Sequence, residues 1–208
     1  MGEAESQITE NFWDTRYASE AYIFGKEPSQ FVSRYAHLLA KGSEVFLPAD
    51  GEGRNSVFLA RLGHLVTATD HSAIGLEKAR RLAEEQKVNI DFQKLNLKGL
   101  AWPHDRWDAI VNVCIQFADP LFREEIFAGL KQAVRPGGLI FLHGYTPNLI
   151  NYKSGGPDRI ANLYTKDLLL ESFADFEIIV LKAYDRHISE GAHLGKSALI
   201  DLVARRPK

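Results

Sequence analysis

Two segments near the start of the chain have the pattern of helices. Residues 9–20 and 29–41 are predicted to be helical, and apolar positions from Phe31 to Leu39 recur at three- or four-residue spacing. Ser29 directly follows a proline, which is typical of a helix N-cap. The chain is therefore expected to begin with two helices before any strand.

From residue 44 onward, short apolar runs alternate with segments of helical pattern. The runs are continuous rather than alternating, as expected for strands that are covered on both faces. Alternating strands and helices predict βαβ units and a parallel sheet. The predicted strands cover 44–49, 65–69, 88–95, 107–115 and a stretch that starts at 139, and the predicted helices cover 54–62, 72–87 and 119–134.

The alternation stops after about Tyr145. A loop rich in Gly, Pro and Asn covers 146–159, and a helix is predicted over 165–173. Two further strand-like runs, 176–184 and 197–204, have no helix between them, so they are expected to pair antiparallel. The predicted fold class is α/β, with one doubly wound sheet that ends in a hairpin.

Composition narrows the class of protein. A chain of 208 residues that is 45% hydrophobic and 25% charged has the size and balance of one globular domain. The single cysteine excludes an internal disulfide and a cysteine-cluster zinc site, and the scattered histidines predict no metal site. The acidic, polar first ten residues do not resemble a signal peptide, so a cytoplasmic location is expected. A net charge of −2 argues against nucleic-acid and anionic-membrane partners.

The motif with the clearest chemistry is a glycine-rich turn, Asp50-Gly51-Glu52-Gly53, between the first strand and a helix. Glycines allow a tight turn and a close approach of a ligand, and the helix N-terminus behind them offers free N–H groups. The second strand ends at Asp70, where a carboxylate accepts hydrogen bonds from ribose hydroxyls. Taken alone, Asp70 could instead cap the helix that follows.

Two cofactors use this arrangement. A dinucleotide needs a third glycine, and this chain has Ser56 at that position. S-adenosylmethionine has no pyrophosphate and needs a tight turn, an acid for the ribose and a side chain after the third strand for the adenine. Asn96 is suitably placed for the last role, although an Asn in this position also favours a simple turn.

Several stretches together resemble the class I S-adenosylmethionine-dependent methyltransferases. The chain is most similar to the small bacterial branch of tellurite-resistance and thiopurine-methyltransferase-like proteins. This resemblance implies a seven-stranded Rossmann-like sheet in the order 3-2-1-4-5-7-6, within one methyltransferase domain over 1–208. It divides the chain into a helical N-terminal lid (1–42), a cofactor-binding half (43–145) and an acceptor side with the hairpin (146–208). The matching stretches are 22–28, 49–79, 107–113, 135–142, 145–157 and 190–200.

The resemblance also implies a set of binding residues. Seven aromatic residues between Phe12 and Tyr35 are expected to include the inner face of the lid, where aromatic rings can attract a sulfonium. The cofactor-binding residues are expected to be Trp13, Arg16, Tyr17, Phe24, Gly25, Asp50, Gly51, Gly53, Arg54, Asn55, Asp70, His71, Asn96, Leu97 and Val113. The substrate-binding residues are expected to be Gln116, His143, Tyr145, Arg186 and His193.

The chain departs from the family pattern at three places. The wider class usually has an acid where Leu47 stands and a glycine where Ala49 stands, so we expect Asp50 to contact the methionine amino group instead. A carboxylate that is often present at the end of the fifth strand is His143 or Gly144 here.

The expected reaction is direct, in-line methyl transfer from S-adenosylmethionine to a small-molecule acceptor. A soft sulfur, selenium or tellurium nucleophile is favoured because it needs little proton management, and no catalytic base is assigned. The protein is expected to be a monomer or a homodimer. The alternatives are a non-catalytic S-adenosylmethionine-binding protein and an NAD(P)-dependent oxidoreductase.

Overall fold

The computed structural model describes residues 10–152, 156–188 and 195–208, and its centre is one seven-stranded sheet. The strands are β1 (Glu44–Leu47), β2 (Leu65–Asp70), β3 (Asp91–Lys94), β4 (Trp107–Val113), β5 (Val134–Tyr145), β6 (Glu177–Ile188) and β7 (Gly195–Arg205). The helices are α1 (Glu10–Tyr17), α2 (Gln30–Tyr35), α3 (Arg54–Arg61), α4 (Ala73–Glu85), α5 (Pro120–Ala133) and α6 (Lys166–Ser172).

The strand order is β3-β2-β1-β4-β5-β7-β6. Strands β1 to β5 run parallel to one another, whereas β7 runs antiparallel to both β5 and β6. The predicted fold class, sheet order and closing hairpin are therefore confirmed. The carboxyl ends of the parallel strands lie at one edge of the sheet, where ligands bind in open α/β folds.

The predicted serine caps are present. Ser29 Oγ accepts a hydrogen bond from Val32 N, and Ser72 Oγ accepts one from Gly75 N. These bonds satisfy N–H groups that the first turn of each helix leaves free. The sequence pattern therefore located both helix starts to within one residue.

Several strand boundaries differ from the prediction, most clearly those of β3 and β5. Strand β3 is shorter than the predicted run 88–95, and β5 begins at Val134 rather than at 139. Residues Arg135–Gly138 do follow the end of α5, but they form part of the strand. The β4–β5 register shifts between Trp107 and Ala109 at this point, so the extra residues are absorbed as an irregularity of the β-bulge type.

Two apolar layers cover the faces of the sheet. One layer contains α5 and α6 with the side chains of Ile110, Ile140 and Leu142. The other contains α2 and α3 with Val45, Phe141 and Val203 of the sheet. Within the described ranges, no helix is both long enough and apolar enough to span a bilayer.

Candidate functional site

The glycine turn after β1 has a backbone that requires glycine. Gly51 and Gly53 have positive φ angles of 66° and 86°. A Cβ on Gly53 would lie 2.7 Å from the Cβ of Ala79, because α4 crosses directly over the turn. Gly53 is also the N-cap of α3 and provides no side chain to its first N–H groups. The turn therefore presents backbone donors at the ligand-binding edge of the sheet.

Asp70 connects this turn to the start of α4. Its Oδ2 accepts a 2.8 Å hydrogen bond from Gly51 N, and its Oδ1 accepts a 2.8 Å bond from Ser72 N. Burial raises the pKa of the Asp70 carboxyl above its usual value, and these N–H donors oppose that shift. Each carboxylate oxygen can accept a second hydrogen bond, so Asp70 combines a structural role with capacity for a ligand.

Asp50 has the weaker set of partners. This half-buried carboxylate accepts a long hydrogen bond of 3.4 Å from Ser56 N, and the Ser56 side chain also donates to it. Burial raises its pKa to about 7, and the nearby Asp70 carboxylate adds to the rise. Among the described residues, Asp50 therefore has no ion-pair partner that would compete with a bound cation.

The N-terminal segment packs directly on the glycine turn. Tyr17 is buried, and a Cβ built on Gly51 would lie 2.7 Å from the Tyr17 hydroxyl oxygen. Trp13 stacks on the Tyr17 ring with a centroid separation of 5.4 Å. Burial, followed by the charge of Asp70, raises the pKa of the Tyr17 phenol. Of the aromatic residues predicted to form the inner face of the lid, Tyr17 lies at the turn and Trp13 stacks on Tyr17.

A buried ion pair holds this segment in place. Lys78 Nζ lies 2.5 Å from Glu52 Oε1, and both side chains are at most 3% exposed. The ammonium also donates to the carbonyl oxygens of Ser19 (2.9 Å) and Ala21 (2.7 Å). Glu52 Oε2 accepts a 2.9 Å bond from Ile23 N. Glu52, in the glycine turn, is therefore bound to residues 19–23 both directly and through Lys78 of α4.

The binding residues predicted from the sequence do not include Glu52, Lys78 or Asp14. Asp14 Oδ1 accepts hydrogen bonds from Ser72 Oγ (2.5 Å) and Ile74 N (3.3 Å), and so attaches α1 to the start of α4. The available signal for Lys78 was its position in the apolar stripe of α4, where a lysine is costly unless it is paired.

The side chains of two predicted cofactor residues are hydrogen-bonded to the N-terminal segment. Arg54 Nη1 donates a 2.7 Å hydrogen bond to Phe24 O, and its guanidinium lies 5.6 Å from the centre of the Phe24 ring. Asn55 Oδ1 accepts a 2.9 Å bond from Ser29 N. Both side chains therefore fix the chain that enters α2 against the start of α3.

The remaining predicted cofactor residues differ in their placement. Asn96 is exposed, and its Oδ1 accepts a 2.9 Å hydrogen bond from Lys98 N, which is the geometry of a local turn. Leu97 is buried in the layer that contains α5. His71 and Val113 are half-buried directly after β2 and at the end of β4, Gly25 is half-buried with a φ angle of 75°, and Arg16 is exposed beside Trp13.

Two of the predicted acceptor residues, Gln116 and Tyr145, are in contact at the ends of β4 and β5. Gln116 Nε2 donates to Tyr145 O, and Gln116 Oε1 accepts from Tyr145 N, both at 2.7 Å. The Tyr145 hydroxyl and the Cys114 thiol are hydrogen-bonded, and burial raises the pKa of Cys114 to about 11. Arg186 is half-buried on β6, and His193 lies outside the described residues.

His143 is the predicted acceptor residue with a charged partner. Its Nδ1 lies 2.7 Å from Oδ1 of Asp201, which is completely buried on β7. The Phe31 ring stacks on the imidazole at 5.0 Å. Within the described part of the chain, no group of three or more His, Cys, Asp or Glu side chains is placed to hold a metal ion.

Sequence comparisons relate the segment around the glycine turn to methyltransferases. Residues 49–138 match the family model described as "Methyltransferase domain". A "Ubiquinone biosynthesis O-methyltransferase" of Methylocella silvestris is 32% identical over 109 residues, which cover 52% of this chain and 42% of that protein. A protein of the same name from Coxiella burnetii is 28% identical over 132 residues, or 61% of this chain and 54% of its own length. The chain thus spans about half the length of these curated relatives.

Solved structures resemble the fold over almost the whole chain. TehB from Haemophilus influenzae superimposes with a TM-score of 0.72 at 19% identity, covering 95% of this chain and 66% of TehB. Magnesium protoporphyrin IX methyltransferase (ChlM) from Synechocystis PCC 6803, solved with bound SAM, gives 0.62 at 16% identity, covering 95% and 79%. At these identities the likeness establishes the fold.

Proposed function

We propose that this chain is an enzyme that methylates a small molecule. Residues 49–138, which include the glycine turn, match the methyltransferase domain, and the fold is that of the class I S-adenosylmethionine-dependent methyltransferases. The observation that carries the proposal is the glycine turn, with Asp50 and Asp70 on either side and Tyr17 packed over it. Rossmann-type oxidoreductases need a third glycine at the position of Ser56. This serine is fully buried, and its Oγ donates to Gly53 O.

The residues at the turn fit the chemistry of S-adenosylmethionine. Asp50 is suited to the methionine ammonium because, among the described residues, its neighbours include no ion-pair partner, and its pKa is raised to about 7. Asp70 retains acceptor capacity for ribose hydroxyls, and the N–H groups behind Gly53 suit the methionine carboxylate. When bound, S-adenosylmethionine supplies a methyl group that its sulfonium already makes electrophilic.

The protein's own contribution is to orient the acceptor and exclude water. Trp13 and Tyr17 are proposed as the inner face of the lid, where aromatic faces favour a nearby cation. The Glu52–Lys78 pair would keep this lid in register with the glycine turn. Holding the acceptor atom in line with the S–CH3 bond accounts for several kcal/mol of barrier lowering in well-oriented reactions.

We assign the acceptor to small molecules with a soft sulfur, selenium or tellurium nucleophile, and propose a cytoplasmic monomer or homodimer. At the ends of β4 and β5, Tyr145 is buried and Cys114 is half-buried, which favours a weakly hydrated acceptor. The net charge of −2 offers no basis for nucleic-acid binding. The test is a panel of thiols, selenium and tellurium oxyanions, phenols and amines, with release of S-adenosylhomocysteine as the readout. Binding of S-adenosylmethionine without turnover of any acceptor would favour the non-catalytic alternative.

Replacing Asp50 with asparagine is expected to weaken S-adenosylmethionine binding about tenfold or more, because a charge-assisted hydrogen bond to the ammonium is lost. Binding to the unmodified protein should release protons near neutral pH, because a bound cation lowers the pKa of Asp50 from about 7. Affinity should therefore rise with pH through this range. Calorimetry in buffers of different ionisation enthalpy measures both quantities.

The same substitution should stabilise the ligand-free protein at pH 8. The pKa of Asp50 is higher in the folded state than in the unfolded state, so stability falls as pH rises from about 4 to about 7. Asparagine removes this cost, which is at most about 4 kcal/mol for a shift of about three pKa units. Asp167→Asn, at an exposed site on α6, serves as the control. Unchanged affinity in Asp50→Asn would remove Asp50 from the cofactor site.

A further inference from the structure

His143 and Asp201 form a buried pair that the methyl-transfer chemistry described above does not yet use. The two residues are directly opposite each other on β5 and β7, and His143 Nδ1 lies 2.7 Å from Asp201 Oδ1. We propose that His143 is the general base that removes the proton from the acceptor's nucleophilic atom, and that Asp201 positions it. This inference rests on the proposed methyltransferase function.

The surroundings of Asp201 explain why it needs the imidazole. Its side chain is completely buried, so its charge must be compensated by polar neighbours. Tyr184 donates a 3.2 Å hydrogen bond to Oδ1, and Arg34 Nη1 is 3.4 Å from Oδ2. The short contact to His143 completes the set. A carboxylate at Nδ1 holds the proton on that nitrogen, so the neutral ring presents its lone pair at Nε2.

The other ring nitrogen is available. Among the described residues, Nε2 of His143 has no hydrogen-bond partner, yet it is not one of the fully buried unpaired atoms. The residue is 8% exposed, and the stacked Phe31 ring restricts its orientation. Nε2 is therefore a fixed acceptor with residual access to solvent, which is the arrangement a general base requires.

His143 lies toward the carboxyl end of β5, at the same edge of the sheet as the glycine turn and separated from β1 by β4. His143 is paired with Val113, the last residue of β4, and His143 O accepts a 2.8 Å bond from Cys114 N. Phe31 belongs to α2, whose cap residue Ser29 is bonded to Asn55 at the start of α3. One continuous set of contacts thus joins the base to the helix that follows the glycine turn.

The proposed step transfers one proton and one methyl group. The acceptor's O–H or S–H gives its proton to His143 Nε2 while the oxygen or sulfur forms a bond to the methyl carbon. The S–CH3 bond breaks, and its electron pair returns to the sulfur, which becomes neutral. The products are the methylated acceptor, S-adenosylhomocysteine and an imidazolium that returns its proton to solvent. Among the soft nucleophiles proposed above, this step selects thiols that are protonated at working pH, and it admits phenols as a further acceptor class.

The first test compares His143→Gln and Asp201→Asn with the unmodified protein. With an alkyl thiol or phenol, kcat should fall about 100-fold or more in His143→Gln, as for loss of a general base. The affinity for S-adenosylhomocysteine should stay within about twofold in both variants. An aromatic thiol that is already ionised should lose far less rate, because it has no proton to give up. His104→Gln, at an exposed site that precedes β4, is the matched control.

The pH profile separates a base from a packing residue. The rate of the unmodified protein should show a rise with pH that is absent in His143→Gln, because the variant has no base for the acceptor's proton. The other groups that face His143 do not produce such a rise: Arg34 stays charged, and the pKa of Tyr184 is raised to about 12, mainly by burial. Asp201 is tested by its own variant. Equal loss of rate for protonated and ionised acceptors would overturn the proposal.

A readout independent of activity is the tautomer of His143. Nitrogen-15 NMR of the ligand-free protein should find the proton on Nδ1, and Asp201→Asn should shift the population toward Nε2–H. A proton on Nε2 in the unmodified protein would overturn the proposal and leave the methyltransferase function standing. Failure of that protein to bind S-adenosylhomocysteine would instead refute the proposed function and, with it, the role of His143.

Discussion

Replacing Lys78 with methionine is expected to lower the free energy of unfolding by about 3–5 kcal/mol, the usual cost of removing one partner from a buried ion pair. Glu52 would keep its charge at 3% side-chain exposure, and the carbonyl oxygens of Ser19 and Ala21 would lose their donor. Urea unfolding followed by circular dichroism measures the change. Affinity for S-adenosylmethionine should fall as well, because residues 19–23 would be released from the glycine turn.

Two variants complete this experiment. Lys26→Met removes an exposed ion pair with Glu85, in which both side chains are nearly half exposed, so it should cost at most about 1 kcal/mol. The double variant Glu52→Gln with Lys78→Met removes the uncompensated charge and should recover part of the stability. A loss below about 1 kcal/mol for Lys78→Met would mean that the pair does not hold the N-terminal segment.

Gly53→Ala is expected to cost about 2–5 kcal/mol of stability and to weaken cofactor binding strongly. An alanine there would have a φ angle of 86°, and its Cβ would lie 2.7 Å from Cβ and 2.9 Å from Cα of Ala79. The backbone conformation accounts for about 1–2 kcal/mol, and the overlap with α4 adds about 1–3 kcal/mol. Relief of the overlap must move α4 or the glycine turn itself, and the turn carries proposed cofactor contacts.

Gly63→Ala separates the two contributions. Gly63 has a similar φ angle of 89°, but a Cβ there would meet nothing within 4 Å. This variant should lose only about 1–2 kcal/mol and keep full cofactor affinity. Thermal unfolding and calorimetry on both variants provide the comparison. Equal effects at the two glycines would show that close packing against α4 is unimportant.

Local patterns predicted the elements well because their causes are local. The continuous apolar runs became β1 and β2, and the caps at Ser29 and Ser72 depend on hydrogen bonds to N–H groups three residues away. The order of the sheet came from the family resemblance. At Arg135–Gly138 the turn-like sequence was misleading, since Val134 already pairs with Trp107 of β4 and residues 135–138 form an irregularity within the strand.

Side-chain partners could not be predicted in the same way. Glu52 is 26 residues from Lys78, and His143 is 58 residues from Asp201, so no local period links either pair. Only a charged residue in an apolar stripe, such as Lys78 in α4, indicates that a buried partner exists. Asn96 illustrates the opposite case, because its local hydrogen bond to Lys98 N satisfies the turn without any ligand.

The most direct test of the central claim is a calorimetric titration of the unmodified protein with S-adenosylmethionine, S-adenosylhomocysteine and NADH. A glycine turn that lacks the third glycine and is flanked by Asp50 and Asp70 predicts binding of the first two ligands at one site per chain. NADH should give no heat of binding at the same concentrations. Binding of NADH without binding of S-adenosylmethionine would contradict the account.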